Sequence, residues 1–292
     1  MLGRKNTIKL QDTVPDIGSG SRLENYWKSQ MFEQFYKKFR SGMRLPSQFH
    51  TVQSVQSIVK LFKLHGIGFG NWVTQEDRFN YVSALIISLY DIDKVIKFKG
   101  NMGLSSLVSF SFGARGNGSA LAHFEPSNFV INITRYSNGQ EAKDVRFVNT
   151  GGAGSVAHEY GHALDYYFGY FHGNNALSGG DSVSKQPMKG SSPLVGLMNE
   201  VLKAAIWNAP EKLSDYYSRL TKNYGGDYMF RRCEIFARLF ERYVQLKLRD
   251  IGILNKFLTE TKYSENAYPT EREMKFIIPK MDALISAMSK KL

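Results

Sequence analysis

The chain has 292 residues, 42% of them hydrophobic and 13% aromatic, enough to bury a core, which excludes a disordered polymer. It carries 38 Lys and Arg against 26 Asp and Glu, a formal net charge of +12. Its one cysteine, Cys233, excludes an intrachain disulfide and a multi-cysteine zinc knuckle and fits a reducing compartment.

The N-terminal MLGRKNTIKLQDTVPD lacks the apolar run of a secretory signal, so none is expected. Residues 1–21 are polar, contain GSGS at 18–21, and read as a flexible lead. A helix is predicted over 23–40, where Phe32, Tyr36 and Phe39 fall at i, i+4 and i+7. A second helix is predicted over 51–64. HGIGFGNW (65–72) reads as a glycine-rich break. Thr74 opens a third helix, with Asp77 in a capping-box position and apolar residues through Leu89. Within it, VSALIISLY (82–90) is the most apolar run of the chain. It is far shorter than the roughly 20 residues that cross a bilayer, so no membrane segment is expected.

After residue 93 the pattern changes to short β-rich runs: KVIKFKG, SLVSFSFG and SALAHFEPSNFVINITR. The last predicts a hairpin of strands 120–124 and 129–134 turning at EPSN. GARGNG (113–118) has the look of a phosphate loop, but no Lys-Ser/Thr follows it, so a tight turn is expected. From 150 onward the chain reads as helical, interrupted by a loop at 173–191 long enough to carry a function. Thr270 and Glu273 form a capping box that starts the last helix. The expected class is α+β, mostly helical, with a small mixed sheet or hairpin ahead of residue 155.

Charge divides the chain unevenly. Residues 1–65 hold eleven Lys and Arg against four Asp and Glu, a net of +7. Such an arm fits a polyanion such as nucleic acid, and a solvated helical face explains it as well. Zinc-finger spacing, an RNP signature and a heptad-backed basic region are all absent from the sequence.

SVAHEYGHALDYYFG (155–169) raises a sharper question. Val156, Tyr160, Ala163, Leu164 and Tyr167 make an apolar helical stripe, and His158, His162 and Asp165 make a second. Two imidazoles four residues apart stack one turn above the other and can reach a single tetrahedral zinc. Glu159 is rotated about 100° from His158, away from that coordination plane yet within reach of a water held there. Asp165 stands where a carboxylate can orient His162 through its free ring nitrogen. The alternative is an ordinary helix with surface histidines.

A zinc site needs a further protein ligand, and YMFRRCEIFARLFERYVQLK (228–247) offers carboxylates on a helix that is apolar on most sides. Glu234, Arg238, Glu241 and Gln245 form its polar stripe. Glu234 is the expected third ligand, with Glu241 the alternative; an i, i+4 ion pair from Glu234 to Arg238 explains the stripe without a metal. His158, His162 and Glu234 would hold one zinc per chain, and Glu159 would serve as general base. The oxyanion donor stays open among His123, Tyr224, Tyr228 and Arg238. His50, His65 and His172 have no supporting neighbours. YYFGYF (166–171) reads as core or cleft wall, and strand 129–134 as the edge a substrate peptide would join.

Four separated stretches carry a family resemblance: GFGNWVTQEDR (68–78), FGARGNGSALAHFEP with VINITR (112–135), GAGSVAHEYGHALDYYFG (152–169) and EIFARLFERYV (234–244). With YPTEREMKFIIPKMDALI (268–285), they resemble the zincin-like large polyvalent-protein-associated domain of phage and conjugative-element polyvalent proteins. The resemblance spans about residues 66–288 and leaves 1–65 outside as a basic helical region. It implies a zincin-like metallopeptidase fold, a gluzincin-like third ligand and a protein or peptide substrate. It also implies a place in the host cytoplasm, in a virion, or in company with mobile DNA. A different class of function fits the same chain: a nucleic-acid-associated accessory protein of mobile DNA whose zinc site is structural or vestigial.

Overall fold

A computed structural model describes residues 37, 39–49, 55–70, 73, 75–115, 122–133, 154–171, 173, 175–260 and 262–292. The predicted lead, most of the helix over 23–40, His50, Thr74 and His172 lie outside the described residues. The architecture is α+β, and two compact units divide it. One is drawn from residues up to Val156 together with Asp250–Leu258; the other is Ala157–Arg249 with Thr259–Leu292.

The first unit holds β1 (Arg40–Ser41), α1 (Val55–Leu61), β2 (Gly66–Phe69), α2 (Gln75–Ile96), β3 (Ser109–Phe112), β4 (Ala122–Glu125) and β5 (Val130–Ile133). Four strands form a mixed sheet in the order β2-β3-β5-β4, parallel from β2 to β5 and antiparallel between β5 and β4. The predicted hairpin is present, in the register Ala122 to Ile133 and Glu125 to Val130. Its second strand is not an edge, however. β5 pairs with β3 on its other side, so among the described residues β4 and β2 are the outer strands, and the edge expected at 129–134 is corrected accordingly.

The expected break at 65–72 is also corrected: Gly66–Phe69 pair with β3 along their whole length. Ile67 and Phe69 alternate into the core, and that burial outweighs the low strand propensity of the intervening glycines. Arg40 is in β1, paired antiparallel with Asn255 of β8 (Leu254–Asn255), so the first predicted helix ends before residue 40. α2 runs seven residues past Leu89, because Leu85, Leu89, Ile92 and Ile96 continue one buried stripe through the stretch read as β-rich. α1 and β2, on either side of residue 65, lie in the same unit.

In this unit a buried Asp91 carboxylate accepts from Arg40 Nε at 2.8 Å, Arg40 Nη2 at 2.9 Å and Asn255 Nδ2 at 3.0 Å. That fork ties β1, β8 and α2 together.

The second unit is helical: α3 (Val156–Tyr170), α4 (Pro193–Ile206), α5 (Asp215–Asn223), α6 (Arg232–Asp250) and α7 (Glu271–Ser289), with a small β6–β7 hairpin (Trp207–Ala209, Lys212–Leu213). α4 begins on the N-cap Ser192 with Pro193 in its first turn, and α7 on the expected capping box of Thr270 and Glu273. These two helices pack on each other, α4 burying Leu194, Met198, Val201, Leu202 and Ala205 and α7 burying Met274, Ile277, Met281, Leu284 and Met288. Among the described residues no helix is long and apolar enough to cross a membrane.

Breaking the Arg40–Asp91 fork tests the first unit. Arg40→Met leaves an uncompensated buried carboxylate and should destabilise the chain by about 3–5 kcal/mol, whereas Arg40→Met with Asp91→Leu should recover most of that loss. Urea denaturation of the single and double variants measures both.

Candidate metal centre

α3 carries the histidines and α6 the carboxylates. HEYGH forms one turn and a half of α3, with Tyr160, Ala163 and Leu164 fully buried beneath it. Gly161 lets the two helices meet closely: a Cβ there would lie 3.2 Å from Ala237 Cα and 3.2 Å from Phe240 Cβ. α6 is buried on almost every side, charged residues included: Arg232, Glu234, Arg238, Glu241 and Arg242 are all buried.

The close approach brings three side chains together. His158 Nε2 lies 3.4 Å from Glu234 Oε2, and His162 Nε2 lies 3.4 Å from Glu234 Oε1. One potential ligand atom from each of His158, His162 and Glu234 falls within 4.8 Å of the others. A tetrahedral zinc with bonds of about 2.0–2.1 Å has ligand–ligand edges of about 3.4 Å. The two nitrogens and the carboxylate fit such an ion in number and type, and their spacing is bounded at 4.8 Å because the two 3.4 Å contacts run to different Glu234 oxygens. The rings are 5.0 Å apart and nearly perpendicular.

Electrostatics in the metal-free state follow from that proximity. Burial opposes charge on His158, yet the close carboxylates of Glu234 and Glu241 and the nearby Glu159 charge push its ring up to about 10. Burial would likewise raise Glu234, but both histidines hold its carboxyl well below the usual carboxylate range.

Glu241, the alternative ligand, meets His158 from the other side of the ring. Its Oε2 is 3.5 Å from Nδ1, an ion-pair distance too long for a formed hydrogen bond. Its two oxygens accept the hydroxyls of Tyr263 and Tyr268, each at 2.8 Å. It therefore backs the ring that faces Glu234. The tyrosines escaped sequence reasoning, since YSENAY reads as a plain polar loop and nothing local marks a partner on another element.

The remaining candidates separate. Glu159 is 7% exposed, and its charge acts on both His158 and Tyr228. Tyr228 opens a 3-10 turn just before α6. Its side chain is more than half exposed, and partial burial, then the Glu234 charge, raise its pKa and keep it a donor. Tyr224 closes α5, its backbone N–H bonded to Leu220 O at 3.1 Å. His123 is on β4 in the other unit, with Nε2 3.2 Å from Glu125. Arg238 lies 4.0 Å behind Glu234 and directs its donors to Tyr216 Oη and the Met229 carbonyl. Asp165 differs from expectation: both of its oxygens are taken by Ser178. In YYFGYF, Tyr167 and Phe168 are core, while Tyr170 and Phe171 are exposed.

Residues 220–292 match the family model of large polyvalent protein-associated domain 1, the module that the sequence motifs resemble. The match takes in Glu234, Arg238, Glu241, Tyr263 and Tyr268, and α3 lies outside it. No curated protein and no solved structure matches the chain.

The metal-free protein should show the His158 linkage in its pH dependence. A histidine raised in the folded state adds stability that is full below about 6.5 and is lost as pH rises through about 10. The thermal midpoint in chelator should therefore fall across that window, with a smaller fall in His158→Gln.

Proposed function

We propose that this chain is a zinc-dependent metallopeptidase of a phage or mobile genetic element, with a zincin-like fold and a gluzincin-like third ligand. The observation that carries the reading is a two-histidine, one-carboxylate cluster with its potential ligand atoms within 4.8 Å of one another, beside a buried glutamate on the same helical turn. The match to a polyvalent-protein module supports the mobile-element setting. The substrate is a protein or peptide, and the place of action is the host cytoplasm or a virion.

His158 Nε2, His162 Nε2 and a Glu234 oxygen would hold one zinc. Bound zinc supplies Lewis acidity that brings the pKa of a water toward about 7. Glu159, one residue past His158, would serve as the general base, its carboxylate taking a proton from water and returning it to the leaving amine nitrogen. Tyr228 is the donor best placed for the oxyanion, because its hydroxyl already reaches Glu234 and its side chain is open to an incoming substrate. Glu241 and its two tyrosines hold the His158 ring from behind, and Arg238 does the same for Glu234.

These roles predict variants that fail in different ways. His158→Ala or His162→Ala should abolish zinc uptake. Glu234→Gln should weaken zinc binding and regain activity in excess zinc. Glu241→Gln should weaken it about 10- to 100-fold through the ring it backs. Glu159→Gln should keep full zinc and lose turnover by about 10²-fold or more, which no added zinc restores. Tyr228→Phe should keep zinc and lower kcat by about 10- to 10³-fold. Metal analysis and cleavage of a broad peptide library read all six. A Glu159→Gln variant that cleaves as well as the parent would overturn the peptidase and favour a nucleic-acid-associated accessory protein acting through basic residues 1–65.

A further inference from the structure

We propose that Asp165, Ser178 and Arg232 form a brace that fixes the spacing of the two ligand-bearing helices, and that they are positioning residues for the metal centre. The inference rests on the zinc reading above and concerns residues to which that reading gives no task.

Ser178 lies in the loop between α3 and α4, is fully buried, and is bonded to both ligand helices. Toward α3, its N–H donates to Asp165 Oδ1 at 2.6 Å and its hydroxyl to Asp165 Oδ2 at 2.6 Å. The neighbouring Leu177 N–H bonds the Asp165 carbonyl at 2.9 Å. Asp165 is three residues past His162. Toward α6, the Ser178 carbonyl accepts Arg232 Nε. Arg232 is two residues before Glu234. A single serine thus links the helix turn of one ligand to the helix turn of another.

The rest of the loop strengthens the α6 side. The first N–H groups of a helix have no partner within it. In α6, those of Arg232 and Cys233 go to Ser182 O at 2.9 Å and Gly180 O at 3.0 Å. The Arg232 guanidinium also donates to Gln186 O at 2.8 Å, Ser184 O at 3.2 Å and Asn199 Oδ1 at 3.0 Å. The loop can wrap this tightly because Gly179 and Gly180 take φ of +102° and +60°. A Cβ on Gly179 would sit 2.6 Å from Met188 Sδ and 3.4 Å from Arg232 Nε.

Charge accounts for the choice of residues. Asp165 and Arg232 are each buried, and each would be costly alone. Ser178 joins them through its own backbone and hydroxyl, so the loop is held by opposite charges at its two ends. A metal site tolerates misplacement of only about 0.5 Å before it loosens. A brace between residues 165 and 232 therefore acts on the distance that sets His162 against Glu234.

The test compares Ser178→Ala and Arg232→Lys with Ser192→Ala, which removes the α4 N-cap in the same unit. Full-length protein is assayed for zinc affinity by chelator competition, for the ligand-field bands of bound Co²⁺, and for amide hydrogen exchange in the metal-free state. The brace predicts zinc affinity weakened about 10- to 100-fold and shifted Co²⁺ bands in the first two variants. It also predicts faster exchange at residues 158–162 and 232–236. Ser192→Ala should lower the melting temperature and leave affinity and bands at parental values. Parental affinity and spectrum in both Ser178→Ala and Arg232→Lys would overturn the brace. If the parent protein takes up neither zinc nor cobalt, the metal reading fails instead; exchange in the metal-free state then decides, and unchanged protection at the two turns overturns the brace.

Discussion

Glu234 is a carboxylate taken out of water on a helix that has almost no exposed face, and the organisation of the second unit follows from neutralising it. An ion moved into a protein interior loses several kcal/mol of solvation, which only close and well-directed partners repay. Two imidazoles at 3.4 Å and the Tyr228 hydroxyl meet it in front, and the Arg238 guanidinium lies 4.0 Å behind. For those partners to arrive, α3 and α6 must touch at Gly161 and Ala237, where any larger pair of residues would hold the helices apart.

The same constraint explains the other charges on α6. Glu241 is met by two tyrosine hydroxyls and a ring nitrogen, and Arg232 by three carbonyls and an amide oxygen. None of these pairings is needed to make a helix. An apolar α6 of the same volume would avoid every desolvation cost, so the charges are better understood as fixing where Glu234 and His158 point. His158 and Glu234 shift in opposite directions, the ring upward and the carboxyl downward, because each favours the charged form of the other.

What the sequence revealed was whatever repeats at helical or strand spacing. His158 and His162 at i, i+4, the capping box at Thr270, the hairpin at 122–133 and the polar stripe on α6 were all legible for that reason. Glu234 and Glu241 sit seven residues apart on one stripe, so periodicity could not choose between them. The structure separates them by which nitrogen of the His158 ring each one faces, Nε2 for Glu234 and Nδ1 for Glu241, a tertiary fact. The strand at Gly66–Phe69 was hidden because two glycines outweigh Ile67 and Phe69 in any local count, while parallel pairing on β3 stabilises them from outside the segment. α2 continued past Leu89 because two more turns carrying buried Ile92 and Ile96 overrode a stretch rich in β-branched residues.

Asp165 shows the limit of stripe logic most clearly. It shares a helix face with His162, which made the ring the natural partner. An aspartate has a short side chain, however, and both of its oxygens bond the N–H and hydroxyl of a single residue thirteen positions later. With desolvation raising its pKa to about 6 and Ser178 opposing that rise, the carboxylate is committed to the loop. The loop in turn is committed to Arg232, a residue whose charge looks like surface in RRCE but which is among the largest fully buried side chains of the described structure. The cluster and the connectivity behind it are thus carried by nearby positions on the same two helices. His162 and Glu234 face the site, while Asp165 and Arg232, a turn or less away, hold the backbone that presents them.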